Sequence, residues 1–508
     1  MTPTTGPAAR DTRIPAPAVT AVVGLLVFFE VTSGVVQAGI APLLPELAAH
    51  LGVDAVDTNW IVSVQLLAAA VCVPLFGRLG DLHGHRRMLR IALVLIAAGT
   101  LIVALADSYP LLLVGRLLQG PVAALLPLEI ALVRDRLPVA GARRAIALLV
   151  GSLALGSLAG GVLMGALHSA VGDLRPVLLV PAVLALICVP VSFVAVPESA
   201  HRAGGRVDWP GVALLSAAVL ALLGGVGAAK DGAWGSPGVL GPLLLGAALL
   251  AGWVAVELRA AEPLVDLRAL AGREAAPFYL GAFLFGIFYF GSQAPNATFF
   301  AADPATAGYG FGMTALAISL VSLPGYVAAV LGSFATAAVA RRIGYRPTLV
   351  TAFVLVAAAF LQYALLHDVV WHMATGSFFL GLGIGLALGA MPTVIVEASD
   401  LSRTGIAAAL YNNIKTLGGA VAGGVFASLL GAFASPASGQ PGENGYRAVW
   451  LVAALCALLA AVLSALARRH EGAPEAVADG TPEAVAEGTA EEMTEETPEV
   501  VTAGTAER

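Results

Sequence analysis

From Ala18 onward the chain runs apolar for some twenty residues, breaks at a short polar segment, and starts again. A run of about 20 apolar residues crosses the hydrocarbon core of a bilayer as a helix. Backbone amides in lipid must be satisfied within their own segment, so helices are the default for such runs. The pattern predicts fourteen spans, at roughly 18–42, 58–77, 88–106, 110–133, 145–167, 176–195, 209–229, 237–256, 277–301, 313–340, 348–366, 372–396, 405–432 and 447–467. The expected fold class is therefore an all-α polytopic membrane protein. Glu30 sits in the middle of the first span and no small-residue cleavage site follows it, so a retained helix is expected there rather than a cleaved signal peptide.

Composition agrees with the pattern: 58% of the 508 residues are hydrophobic and 12% are charged, about half the charge of a soluble domain. Positive charge gathers on the loops of the membrane's inner side. With the amino terminus cytoplasmic, 22 of the 27 Lys and Arg fall on inner segments and the span ends that adjoin them, among them Arg78, Arg86, Arg87, Arg134, Arg136, Arg341, Arg342 and Arg346. Arg175, Lys230 and Arg447 fall outside, and Arg116 and Lys415 lie within spans. This split supports an even number of spans and two cytoplasmic termini. The net charge of −6 comes from the end of the chain, where residues 471–508 hold eleven acids and one Arg. That repetitive stretch has few large apolar residues and reads as a disordered acidic tail. Cys72, Cys188 and Cys456 all lie in spans and form neither a disulfide framework nor a metal-ligand spacing. His83 and His85 have no convergent ligand set, no nucleotide-binding loop of the GxxxxGK[ST] kind is present, and no cofactor is expected.

One polar segment stands apart. "GRLGDLHGHRR", residues 77–87, forms the turn between the second and third spans. Gly77, Gly80 and Gly84 allow two helices to approach and turn tightly. Asp81 can meet helix amides, and Arg86 and Arg87 can reach a carboxylate at headgroup level. The spacing Gly-x-x-x-Asp-x-x-Gly-x-Arg-Arg resembles the signature loop of the major facilitator superfamily. "RLLQGPVAA" (116–124) resembles that superfamily's Arg-containing motif, "GSLAGG" (156–161) its antiporter motif GPxxGG, and "VPES" (196–199) the close of its sixth span. "VDWPG" (207–211), "ELRAAEPLVDLR" (257–268) and "LYNNIKTLGG" (410–419) narrow the resemblance to the fourteen-spanner drug/proton antiporters. Leu82 and His85 differ from the signature's basic residues, Ser157 stands where the antiporter motif has Pro, and Val36 and Ala38 occupy the region where the family often has an acid.

The resemblance implies a major facilitator fold: two six-helix bundles with two inserted helices. The segments are then a cytoplasmic stretch 1–17, a first bundle 18–200, inserted helices 201–260, a second bundle 261–470 and the tail 471–508. "AAVARRIGYR" (337–346) is a partial echo of the signature loop, with Gly344 matching Gly84. The implied activity is secondary active export of small amphipathic, drug- or antibiotic-like molecules by alternating access, driven by protons. The expected partners are a small-molecule substrate, protons and the lipid bilayer of a bacterial inner membrane. No nucleic acid is expected, and the chain is read as a monomer and not an enzyme. Two rival readings remain open, a metabolite uniporter or symporter of the same fold, and a transporter-like sensor or scaffold.

Charged groups near the bilayer centre cost about 2.5–3.5 kcal/mol or more, which makes them functional candidates. Glu30 lies about 18 Å along the first span, near the midplane. A carboxyl there suits a group that loads and releases a proton, or a counter-charge to a cationic substrate. Arg116 either snorkels outward or takes the proton-coupling role that the resemblance implies. Lys415 is a counter-charge to Glu30, an anion-binding group, or a packing residue. Gln37, Gln65, Gln119, Gln293, Asn296, Asn412 and Asn413 are candidate cavity residues, and Phe283, Phe285, Phe288, Tyr289 and Phe290 line a pocket or face lipid. Gly77, Asp81, Gly84, Arg86, Arg87, Glu129, Gly156, Gly160 and Gly161 are assigned to gating, with Glu129 placed beside Arg134 and Arg136.

Overall fold

The computed structural model describes residues 16–137, 139–195, 206–227, 236–260, 263, 265, 267–270, 275–398, 404–435 and 440–467. The expected features at 1–15, "VPES" (196–199), Arg403 and the acidic tail lie outside the described residues, as do the side chains of Arg143 and Arg144. Within them the chain is helical throughout apart from short loops. The first half comprises α1 (Ala16–Ala38), α2 (Leu44–Leu51), α3 (Ala55–His83), α4 (His85–Leu105), α5 (Tyr109–Leu118), α6 (Leu125–Arg136), α7 (Val139–Val171) and α8 (Leu174–Ala195). A pair follows, α9 (Trp209–Gly227) and α10 (Pro237–Glu257), and then the one-turn α11 (Leu267–Leu270). The second half comprises α12 (Ala276–Gly291), α13 (Gln293–Ala301), α14 (Pro304–Ala307), α15 (Ala315–Ile343), α16 (Tyr345–Leu365), α17 (Val370–Glu397), α18 (Thr404–Ala432) and α19 (Glu443–Leu466).

Twelve helices among the described residues are long and apolar enough to cross a membrane. The other two expected spans differ in form. α9 is helical over Trp209–Gly227, with Trp209–Leu222 its continuously described apolar stretch, and 277–301 is divided at Ser292 into α12 and α13. Fourteen crossings are therefore not established. α9 and α10 pack on each other, and only 17% of the α10 window is buried, as befits a pair at the periphery.

Proline positions explain the interruptions. The first span ends α1 at Ala38, passes through a 3-10 turn at Ala41–Leu43 containing Pro42, and resumes as α2. The fourth breaks between α5 and α6 at a second 3-10 turn, Gly120–Ala124, whose Pro121 has no amide hydrogen to donate. By contrast α7 runs unbroken through "GSLAGG", where Ser157 replaces the proline of the resembling motif.

Internal repetition, only a partial echo in sequence, is close in structure. α3 and α15 each have 29 residues, and α4 and α16 each have 21. Gly84 and Gly344 join them with φ of 101° and 89°, a region that side chains disfavour. Arg86 donates to the carbonyl of Phe193 near the end of α8, and Arg346 to that of Ser464 near the end of α19. Cations over the last carbonyls of a helix satisfy acceptors that have no partner within it.

The halves meet at one end of the molecule. The ring of Tyr326 on α15 lies against Gly161 of α7, Ser319 and Ala315 against Gly165, and Gly423 of α18 against Ser63 of α3. Ile40, Leu43 and Leu44 share an apolar cluster with Ala294 and Ala315 at that same end. The signature loop lies at the other end, where Asp81 pairs with His85 of its own loop at 3.2 Å.

Candidate functional site: a buried carboxyl pair

Glu30 on α1 and Glu129 on α6 are 99 residues apart in sequence, and their carboxyl groups meet in the interior of the first half. Small residues set the position of α1. A Cβ on Gly34 would lie 2.5 Å from the Leu153 carbonyl, Gly156 closes on the backbone of Val31, and Gly160 closes on Val35. These contacts press α1 against α7 at backbone distance, which is how small-residue faces associate in membranes. The 3-10 turn at Gly120–Ala124 separates α5 from α6, which carries Glu129 among its buried residues.

Both glutamates are 0% exposed. Around them are Leu26, Phe29, Leu125 and Leu128, all in one apolar cluster. Among the described residues no donor reaches any of the four carboxyl oxygens with ordinary hydrogen-bond geometry. Cys188, next to Glu129, turns its thiol towards the Thr32 hydroxyl at 3.5 Å. Two ionised carboxylates in such a place repel each other and lack the donors that would repay their desolvation. One proton changes that balance, because the protonated carboxyl gains an O–H that the other can accept. The pair is thus built to hold a proton and to react strongly when it leaves.

Arg116 does not snorkel. It is 1% exposed, and its Nε donates to the Ile61 carbonyl at 2.6 Å while Nη1 donates to Gln119 Oε1 at 2.7 Å. Gln119 in turn donates to Thr100 Oγ1 at 3.0 Å. Arg116, Gln119 and Thr100 border a cavity of about 20 Å³, together with Val35, Val36 and Met164. That volume is about the size of one water. Lys415 on α18 does not reach Glu30; its Nζ lies 5.3 Å from the ring centre of Tyr411, on its own helix.

The Major Facilitator Superfamily profile matches residues 25–423. The chain belongs to the Major Facilitator Superfamily. It is 27% identical over 396 residues to the tetracenomycin C resistance and export protein of Streptomyces glaucescens, covering 76% of this chain and 71% of that one. It is 29% identical over 406 residues to the multidrug efflux pump LfrA of Mycolicibacterium smegmatis, covering 78% and 77%. The chain spans 58% of the length of an MFS-type transporter of Mycobacterium tuberculosis to which it is 27% identical over 410 residues, 80% of this chain. Among solved structures it resembles an auto-inhibited POT family peptide transporter, with a TM-score of 0.63, 17% identity, and coverage of 90% and 98%. Members of this superfamily are transporters rather than enzymes.

Against the superfamily's fold, the expected site residues separate into groups. Gly84 makes the loop's turn, Arg86 caps α8, Arg87 is exposed, and Gly77 has open space where a side chain would go. Gly156 and Gly160 serve α1–α7 packing, while Gly161 faces the second half. Glu129, assigned from sequence to the gate, stands beside Glu30 instead. Gln37 donates to Ser33, Gln65 is buried, and Gln293 opens α13. Asn296 accepts from the indole N–H of Trp450 in an aromatic cluster, and Asn412 is half-buried on α18. Phe285 and Phe288 are fully buried core, not lipid-facing. Sequence reasoning missed Arg90, which donates to the Ser192 carbonyl and lies 4.2 Å from the centre of the Phe193 ring. It also missed the cluster of His367, Glu443 and Arg447, in which Glu443 meets each of the other two at 2.7 Å. The signal for Glu129 was present, since "LLPLEIALV" sets one acid among apolar neighbours on both sides.

Proposed function

We propose that the protein is a proton-driven exporter of small amphipathic, drug- or antibiotic-like molecules, and that the Glu30–Glu129 pair is where its proton binds. The observation that carries this reading is the carboxyl pair itself, fully buried and without a donor. Bringing a proton to the pair stabilises the state with the pair sealed, and removing it favours a state that hydrates the pair. A proton gradient can then bias one state over the other, because they differ in affinity for the proton. The relatives named for resistance, export and efflux support the direction of transport and the class of cargo.

In this reading both termini are cytoplasmic, residues 18–200 and 261–470 form the two moving bundles, and 201–260 form the inserted pair. The closed end, where Gly423 meets Ser63, faces outward, and the end with Asp81 faces the cytoplasm. The conformation is then one in which cargo enters from inside. Arg116 organises the outer half of the fourth span through Ile61 and Gln119.

The test is transport into proteoliposomes with an imposed pH gradient. Glu30→Gln keeps size and hydrogen bonding but cannot exchange a proton, so gradient-driven flux should disappear while cargo binding in detergent persists. Gradient-driven flux at the native rate in Glu30→Gln rules the pair out as the coupling site.

A further inference from the structure

The second half holds a charge that the proton site does not use. Lys415 stands twelfth in the 29 residues of α18, too far from either end to reach a headgroup easily. Its side chain is half-buried, and among the described residues it forms neither an ion pair nor a hydrogen bond; its one interaction is with the Tyr411 ring. Glu30, its expected counter-charge, lies in the other half beside Glu129. The chain uses lysine only at Lys230 and Lys415, with arginine at its other 25 basic positions.

The Tyr411 ring lies beside this ammonium, and two further tyrosines, Tyr289 and Tyr326, stand on α12 and α15. Tyr411, 6% exposed, has a buried hydroxyl with no partner. Tyr289 on α12 stacks on Phe285 and has its ring centre 4.6 Å from that of Phe290, which rests on Gly419 of α18. Tyr326, on α15, rests its ring on Gly161 of the first half, with 2.7 Å to a Cβ built there. Tyr326 therefore faces the place where the halves meet. Its scaffold is rigid, because Gly286 of α12 closes on the Lys415 carbonyl, Gly418 on that of Phe283, and Gly419 on the ring of Phe290. A charged group held on packed helices keeps its geometry better than one on a loop.

We propose that Lys415, Tyr411, Tyr289 and Tyr326 form the cargo site, and that it takes a planar aromatic molecule bearing a carboxylate or ionised phenol. This rests on the exporter reading. The ammonium supplies the counter-charge in a low-dielectric setting, and the Tyr411 hydroxyl donates to the same acidic group. Ring faces of the tyrosines offer flat apolar contact to the cargo's rings. A lysine presents a compact cation that can follow an oxygen anion of variable position, whereas the planar guanidinium demands a fixed fork. A cationic molecule gains nothing here, since Lys415 repels it and both carboxylates lie sealed in the other half.

Three probes with one ring system test this: anthraquinone-2-carboxylate, its methyl ester, and an anthraquinone bearing a trimethylammonium group. Equilibrium dialysis against the full chain in detergent gives affinity without a gradient. The carboxylate should bind at least about tenfold more tightly than the ester, and the cation most weakly. Lys415→Met should bring the carboxylate down to the ester's affinity and leave the ester within about twofold, while Lys415→Arg should restore part of the preference. Tyr411→Phe, which removes one hydroxyl, should weaken the carboxylate about threefold to tenfold and spare the ester. Equal binding of carboxylate and ester by the native chain overturns the proposal, as does an undiminished preference in Lys415→Met. Glu30→Gln should bind all three probes as the native chain does. In the native chain, absence of gradient-driven flux with the anion preference intact counts against proton coupling and leaves this site standing; the reverse result removes the site alone.

Discussion

Gly423 on α18 and Ser63 on α3 touch with no room between them, so that a Cβ built on the glycine falls on the serine hydroxyl. The contact joins the two halves at the end opposite the signature loop. Packed helices respond to added volume by shifting as bodies, because their interiors are as dense as crystals. Gly423→Leu should therefore hold this end apart without unfolding either half. Flux should fall at least about tenfold, and a cysteine placed at Ile40 should become reactive to a membrane-impermeant thiol reagent added outside. Unchanged labelling at that position counts against a gate here.

Glu129→Gln should behave like Glu30→Gln in coupling and unlike a cavity mutant in stability. The new amide can donate to the Glu30 carboxyl without the proton that the native carboxyl pair needs for such a bond. The melting temperature should hold or rise, while cargo-induced proton release in detergent drops to background. Native proton release from Glu129→Gln would show that Glu30 works without it.

Asp81 is half-exposed and pairs with a His85 side chain that is largely covered, a partly solvated interaction worth about 1 kcal/mol or less. Asp81→Asn should accordingly leave expression and melting temperature close to native. Turnover should still fall at least about tenfold if the loop locks its end shut in the opposite conformation, where Asp81 would find a different partner. Flux at the native rate at equal expression reduces "GRLGDLHGHRR" to a positively charged anchor.

Glu443 joins His367 and Arg447, and the His367 ring also meets the carbonyl of Tyr363 at 2.8 Å. The cluster ties the loop before α17 to the start of α19. Glu443→Ala removes the shared acceptor from a half-buried site, at a cost of about 1–3 kcal/mol. A lower melting temperature is the expected outcome, with the proton release of the Glu30–Glu129 pair unaltered.

Deleting residues 472–508 should leave flux close to native, since the stretch lacks the apolar residues needed to pack on either half. A large loss of flux with normal insertion would assign the tail a working role.

Much of this protein follows from its sequence because lipid imposes a simple rule. Every backbone amide must be satisfied within its own helix, so apolar runs announce the spans, and a loop as polar as residues 77–87 announces where the chain turns. The same reading located Glu30 and Lys415 at depth, since the number of residues along a helix gives distance. Direction around the helix axis was another matter. In a chain that is apolar on every face, no polar stripe marks which side of a span faces lipid and which faces a neighbour. Sequence therefore placed Glu129 beside its nearest arginines and left Lys415 between a counter-charge to Glu30, an anion-binding group and a packing residue. Tertiary structure brought Glu129 to Glu30, with the glycines of α1 and α7 fixing how closely those helices approach and a 3-10 turn at Pro121 preceding α6. Two carboxyls 99 residues apart became one site because backbones without side chains could pack against each other.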